Sequence, residues 1–144
     1  MTSRISRIVP SVGLLIALSA CSPCDTQVLA TVPSPDGELQ AVHWLASCGA
    51  LSSGTVGVTI ASSDSEFDAD AVPDANTVFQ YRATLTGEGG YSLVVADTIT
   101  WTSNRHLRIA YDARRPVLRK TALLDDVQIR FRSHRPSAAT PPQN

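Results

Sequence analysis

The sequence predicts an all-β domain, a small antiparallel β-sandwich or partly open barrel of about seven to nine strands. Three observations predict it. Short segments alternate apolar and polar side chains, which is the period of a half-buried strand. Turn-forming residues separate those segments, as in Ser34-Pro35-Asp36-Gly37. No window shows the sustained apolar stripe that is typical of an amphipathic helix.

Four strands are predicted in the first half of the domain. Val28, Ala30 and Val32 alternate with their neighbours in the first of them. The Pro-Asp-Gly turn follows, because proline presets φ, aspartate bonds its own backbone and glycine accepts a positive φ. A polar, acidic loop over residues 62–76 precedes the fourth strand. The four predicted strands cover residues 27–32, 38–47, 55–61 and 77–86.

The second half begins with a glycine turn over residues 86–90. Two later segments alternate most cleanly, one with Leu107, Ile109 and Tyr111 on a single face and one with Val127, Ile129 and Phe131. Pro116 interrupts the chain between them. The predicted strands are 91–96, 98–102, 106–112, 117–124 and 127–132, and the Pro- and Ala-rich residues 133–144 are predicted to be a disordered tail.

The N-terminal residues have the pattern of a signal peptide. Arg4 and Arg7 precede a short apolar run over residues 12–18, too short to span a membrane. The block Leu18-Ser19-Ala20-Cys21 that follows resembles the bacterial lipobox. The resemblance implies cleavage before Cys21, acylation of its sulfur, and the organisation 1–20 leader, 21–26 lipid-anchored linker, 27–132 β domain and 133–144 tail. The alternative is an ordinary signal peptide cut at Ala20, which leaves Cys21 a plain thiol.

An acylated Cys21 implies a membrane partner and a location in the cell envelope. Ser22 follows it, where an Asp tends to retain Gram-negative lipoproteins at the inner membrane. The resemblance therefore favours the periplasmic face of the outer membrane, if the envelope is of that type. The precursor's net charge of −1 does not indicate nucleic-acid binding.

The remaining cysteines are Cys24 and Cys48. In an oxidising compartment an even pair favours a disulfide, and a bridge between them would stabilise the fold by about 3–4 kcal/mol. The alternative treats Cys21-Ser-Pro-Cys24 as the C-x-x-C motif of thiol–disulfide enzymes. That motif belongs to a βαβ unit, and no such pattern is present.

Charge is unevenly distributed along the chain. From Asp25 to Asp97 there are ten acidic side chains and one base, Arg82, whereas Arg105 to Arg135 holds nine bases and three acids. One interpretation is a functional dipole whose basic half faces anionic lipid or an acidic partner. The other, which we favour from sequence, is that acidic and basic strands lie side by side and form cross-strand ion pairs.

The sequence contains few candidate metal-binding or catalytic residues. Asp64, Glu66, Asp68 and Asp70 form a weak candidate cation site, although the glycine and glutamate of an EF-hand loop are missing. The three histidines, His43, His106 and His134, lack the spacing of a zinc site. No catalytic residues, metal or cofactor are predicted, and the aromatic side chains are predicted to be core.

The chain is also similar to a group of small, often exported bacterial proteins with no assigned activity. The similarity spans most of residues 24–131 and implies a β fold and export. It includes residues 34–37, Ala41-Val42, Cys48-Gly49-Ala50, Val58-Thr59-Ile60, Asn76-Thr77-Val78-Phe79, Trp101 and residues 107–111.

The expected function is therefore that of a non-enzymatic, membrane-tethered envelope lipoprotein, an interaction or accessory module with a possible envelope protein partner and no nucleic acid. The alternative is a periplasmic inhibitor or small-ligand-binding module, by analogy with lysozyme inhibitors of similar size and architecture. An enzyme is the third hypothesis, which a pocket with converging titratable residues would favour.

Overall fold

The structure, a computed structural model, describes residues 24–49, 53–83 and 98–135. In these ranges nine strands form two sheets that do not close into a barrel, which confirms the predicted all-β fold. The strands are β1 (Asp25–Pro33), β2 (Leu39–Ser47), β3 (Thr55–Ser62), β4 (Thr77–Arg82), β5 (Thr98–Ser103), β6 (His106–Asp112), β7 (Val117–Lys120), β8 (Leu123–Leu124) and β9 (Val127–His134).

The first sheet has the order β1-β2-β3-β4-β7, with antiparallel pairing throughout. Its β1–β2 turn is the one predicted from Ser-Pro-Asp-Gly. The backbone N–H of Gly37 donates to the Ser34 carbonyl at 2.9 Å, and the Ser34 hydroxyl donates to Asp36 Oδ1 at 2.6 Å. Gly37 has a φ of 73°, a conformation that favours glycine. The turn therefore sets the register of the hairpin.

The second sheet has the order β5-β6-β9-β8 and is mixed. Strands β6 and β9 run parallel, with Leu107 opposite Ile129 and Ile109 opposite Phe131. The prediction of a wholly antiparallel domain is wrong at this pair. The reason is connectivity: after β6 the chain crosses to the first sheet as β7 and returns as β8 before β9 begins.

The single strand predicted over residues 117–124 is two short strands in different sheets. The backbone N–H of Thr121 donates to the Val78 carbonyl in the first sheet at 2.8 Å. One residue later, the Ala122 carbonyl accepts from the Ile129 N–H in the second sheet, also at 2.8 Å. The chain thus changes sheet between two consecutive residues, which an apolar pattern alone does not reveal.

The remaining boundaries agree with the predictions to within a few residues. Strand β1 begins at Asp25, inside the predicted linker 21–26, and β9 continues to His134, past residue 132. The predicted leader, the predicted strand over 91–96 and the tail beyond residue 135 lie outside the described residues. No helix among the described residues is long and apolar enough to cross a membrane.

The core lies between the two sheets. Phe79 of β4 is fully buried, with its ring centroid 5.0 Å from that of Tyr111 and 5.5 Å from that of Phe131. The Trp101 Nε1–H of β5 donates to the Val32 carbonyl of β1 at 2.9 Å, which joins the neighbouring edges of the two sheets. Tyr81, Trp101 and Tyr111 are likewise core residues, as predicted, and Phe131 packs against the core but is only partly buried.

The first sheet also buries its other face. Trp44 alternates with the core-facing Leu45 on β2 and is fully buried, as is Val42. The Trp44 Nε1–H donates to Thr59 Oγ1 at 2.9 Å, and its ring lies over Gly57 of β3. Strands β2 and β3 are therefore packed on both sides, unlike the strands of the second sheet.

Candidate functional site

The outer face of the second sheet is polar and basic. On β6 and β9, buried Leu107, Ile109 and Ile129 alternate with exposed Arg108 and Arg130. The outward positions of β5 are threonines. We call this surface the arginine face, and it consists of Thr98, Thr100, Thr102, His106, Arg108, Gln128, Arg130 and Arg132.

The pairing register places two arginines side by side. Thr100, Arg108 and Arg130 are consecutive partners across β5, β6 and β9, and Arg132 follows in the next outward row. Neighbouring strands are about 4.8 Å apart, so the two side chains begin at that separation. Within the described ranges, no carboxylate forms an ion pair with Arg108, Arg130 or Arg132.

A shallow, open groove of about 330 Å³ runs along this face. The Ser103 hydroxyl lies 2.6 Å from His106 Nδ1 at one end of it. The groove thus offers guanidinium, hydroxyl and imidazole groups, all of which can donate hydrogen bonds to an anion. Its lining residues are Thr102, Ser103, His106, Leu107, Arg108 and Arg130.

On β6, Asp112 alternates onto the same side of the strand as Arg108, but its carboxylate is already hydrogen-bonded to another arginine. Asp112 is 3% exposed, and its Oδ2 accepts hydrogen bonds from Arg114 Nε at 3.0 Å and Nη2 at 2.7 Å. These side-chain bonds, with the Arg114 backbone N–H, lower the pKa of Asp112 to about 2. Asp112 therefore stabilises its own turn and does not neutralise the arginine face.

Arg105, unlike the arginines of the arginine face, is surrounded by carboxylates. From the β5–β6 turn, its guanidinium lies 2.6 Å from Glu38, 2.9 Å from Asp126 and 3.5 Å from Asp36. Hydrogen bonds to Glu38 and then Asp126 raise the Arg105 pKa, and the Ser34 hydroxyl is the main cause of the lowered pKa of Asp36. This cluster joins three turns at one end of the sandwich.

The same end carries the acidic loop. Asp64, Glu66, Asp68 and Asp70 are exposed, and Asp68 Oδ1 accepts a hydrogen bond from the Asp70 backbone N–H at 3.0 Å. In the described part of the chain, no three His, Cys, Asp or Glu side chains lie close enough to hold a metal ion. The geometry therefore adds nothing to the weak cation candidate that the sequence indicated.

Ion pairs between acidic and basic strands, which we favoured from sequence, are not what the structure shows. Among the described residues, the ion pairs join turns to turns, at Arg105, or lie within one turn, at Arg114. Acidic side chains gather at the end with Asp36 and the acidic loop. Arg82 and Arg115 lie at the opposite end, where β4 ends and β7 begins. Arg105 and Arg119 of the basic half nevertheless lie at the acidic end, since Arg105 pairs with Glu38 and Arg119 donates to the Asp74 carbonyl. The charge division along the sequence is therefore not preserved in space.

The predicted disulfide is present. Cys24, just before β1, is bonded to Cys48, just after β2, with a sequence separation of 24 residues. It closes the β1–β2 hairpin at the end that holds Arg82. A Cys21–Cys24 redox pair is incompatible with this bond. Cys21 itself, the predicted lipidation site, lies outside the described residues.

The structure does not bring the three histidines together. His43 lies on β2 opposite Val58, and burial lowers its pKa to about 4. His106 and His134 are at opposite ends of the second sheet, one at the start of β6 and the other at the end of β9. They therefore form no common metal or catalytic site.

Sequence reasoning missed the arginine face. The alternation in residues 106–112 and 127–132 correctly indicated which side chains point outward. That Arg108 and Arg130 are neighbours follows only from the parallel β6–β9 pairing, because strands in an antiparallel register would juxtapose other residues. In comparisons with known proteins, no protein family, curated protein or solved structure matches this chain.

Proposed function

We propose that this chain is a non-enzymatic lipoprotein of the bacterial cell envelope. In this proposal acyl chains on Cys21 hold a single β domain at a membrane, where it acts as an interaction module. The leader-like residues before Cys21 and the lipobox resemblance support the anchor. Ser22 favours the periplasmic face of the outer membrane in a Gram-negative envelope.

The observation that carries the proposal is the lipobox resemblance at Leu18-Ser19-Ala20-Cys21, and the disulfide determines where such an anchor would join the domain. Cys24 is bonded to Cys48 and is thereby fixed to the end of the first hairpin. Cys24 is the third residue after Cys21, and three residue steps span at most about 10–11 Å. An anchor on Cys21 would therefore hold the whole body beside the bilayer.

The strength of such an anchor depends on the number of chains. Each buried CH₂ contributes about 0.8 kcal/mol, and a single acyl chain gives only reversible binding. Lipobox cysteines usually carry more than one chain, which would make the attachment of this domain permanent.

The test is the intact mass of the protein extracted from membranes, measured with and without reductant. We expect a polypeptide that begins at Cys21, carries acyl groups, and gains the mass of two hydrogens on reduction of Cys24–Cys48. A mature chain that begins elsewhere, or one without lipid, would refute the proposal.

Two serine variants provide a matched comparison. Cys21→Ser should abolish acylation, whereas Cys24→Ser, three residues away, should leave it intact and remove only the disulfide. Equal acylation of both variants would show that Cys21 is not the modified residue.

A further inference from the structure

We propose that the arginine face binds the phosphate headgroups of anionic phospholipids, so that the second sheet lies against the membrane surface. The orientation rests on the proposed lipid anchor. The binding itself does not need the anchor and can be measured without it.

The first step is that the arginine face lowers the stability of the fold when no ligand is bound. Like charges on directly neighbouring positions of a sheet destabilise it, and Arg108 and Arg130 are such neighbours. The one outward carboxylate on β6, Asp112, is engaged by Arg114. A destabilising pair of like charges that no nearby carboxylate offsets is expected where a surface serves binding.

The second step is the chemistry of the ligand. The planar guanidinium group donates a pair of hydrogen bonds that matches phosphate oxygens. The side chains of Arg108 and Arg130 start from strands about 4.8 Å apart, and that of Arg132 starts about 6.6 Å further along β9. This spacing suits one phosphate between the first two arginines and another beside Arg132.

The third step favours a lipid surface over a nucleic acid. Proteins that bind single-stranded nucleic acids combine a basic groove with aromatic side chains on which the bases stack. The outward positions on β5, β6 and β9 are threonine, histidine, arginine, alanine, glutamine and the already engaged Asp112, with no Trp, Tyr or Phe among them up to Arg132. An exposed basic face with hydroxyl donors fits an array of headgroup phosphates.

The experiment is sedimentation of the unacylated mature chain, residues 21–144 with Cys21→Ser, with lipid vesicles at low salt. This chain contains every described strand and the Cys24–Cys48 bond. We expect it to bind vesicles that contain phosphatidylglycerol and not vesicles of phosphatidylcholine alone. Binding should weaken as salt is added, because exposed charges are screened.

Arg130→Gln should weaken vesicle binding about fivefold, and the Arg108→Gln/Arg130→Gln double variant about 30-fold, the factors that correspond to about 1 kcal/mol per basic residue near an anionic surface. Arg82→Gln is the matched control, since it removes the same charge from an exposed position on β4. Its binding should change less than twofold.

Three results would overturn the proposal: no binding to phosphatidylglycerol vesicles, an equal loss in Arg82→Gln and Arg130→Gln, or binding of inorganic phosphate without binding of vesicles. The last would assign the face to a soluble phosphate compound. The protein in this assay carries no lipid, so the intact mass at Cys21 remains an independent test. Either proposal can fail while the other stands.

Discussion

The two sheets of this domain differ in what they do with their second face. The first sheet buries Val42 and Trp44 on the side away from the core, so β2 and β3 are almost fully enclosed. The second sheet buries one side only, and β6 and β9 expose Arg108 and Arg130 on the other.

That difference separates the parts of the molecule that hold the fold from the part that is free to bind. A substitution in a sheet packed on both faces has no solvent into which a new atom can move. A substitution on the exposed face of the second sheet meets water. Stability changes should therefore be large on β2 and β3 and small, or even favourable, on the arginine face.

The largest expected effect is loss of the disulfide in the first sheet. A Cys24→Ser/Cys48→Ser variant should lose about 3–4 kcal/mol of unfolding free energy, because a closed loop of this length restricts the unfolded chain. Denaturant unfolding checks this, with reduced wild-type protein as the control. If the variant and the oxidised wild type unfold at the same midpoint, the bond does not stabilise the hairpin.

The next effect is a dependence of stability on pH that comes from His43. Its pKa is about 4 in the folded chain, below the ordinary value of 6.5, because the ring is buried. Between those values the unfolded chain binds a proton that the folded chain does not. Stability therefore falls as pH decreases from 6.5 to 4, by up to about 3 kcal/mol, and the loss is complete below pH 4.

Urea unfolding of wild type and His43→Leu at pH 7, 6, 5 and 4 tests this interpretation. The variant should lack most of the slope above pH 4. Asp112 acts later, since its stabilising charge is lost only as pH falls below 3.8 towards 2. Parallel slopes for wild type and variant above pH 4 would mean that His43 is not the group responsible.

Gly57→Ala should cost about 2–3 kcal/mol, an overpacking effect. A Cβ at this position would lie closer than 3.0 Å to three atoms of the Trp44 ring. Ala110→Val enlarges a residue that points outward on the second sheet and should change stability by less than about 0.5 kcal/mol. Thermal unfolding of both variants compares the sheets directly, and equal losses would show that they tolerate added volume alike.

The sequence predicts where the strands are better than it predicts which strands pair with one another. Alternation is a local property, so residues 106–112 were assigned as a strand with the observed boundaries. The turn at Pro35 and the Cys24–Cys48 bond also follow from local chemistry and residue counting. Strand pairing depends on contacts between distant residues, and the parallel β6–β9 register has no local signal.

The same limit explains two further wrong predictions about organisation. The chain changes sheet between Thr121 and Ala122, although the apolar residues on both sides favour one continuous strand. Acidic and basic segments are expected from sequence to pair across strands, but Arg105, itself in a turn, draws its carboxylates from two other turns. Both outcomes depend on how the two sheets are arranged. The alternation of apolar and polar residues within one segment does not determine that arrangement.

The smallest effect is the most discriminating, because its sign is opposite to the others. Arg108→Gln should stabilise the fold by a few tenths of a kcal/mol, roughly 0.3, since it removes one of two adjacent like charges. In the Arg108→Gln/Arg130→Gln double variant, the second substitution should add less than the first, because the repulsion has already been removed. The gain should disappear at about 1 M salt, where the Debye length is about 3 Å.

Denaturant midpoints at low and high salt measure this, with Arg82→Gln as the control that removes a charge from the first sheet. If Arg108→Gln destabilises the fold at low salt, the arginine stabilises its own sheet, and the face needs no ligand to account for it. If it stabilises the fold while vesicle binding weakens, the same residue opposes folding and favours binding. That combination is expected of a residue retained for recognition rather than for stability.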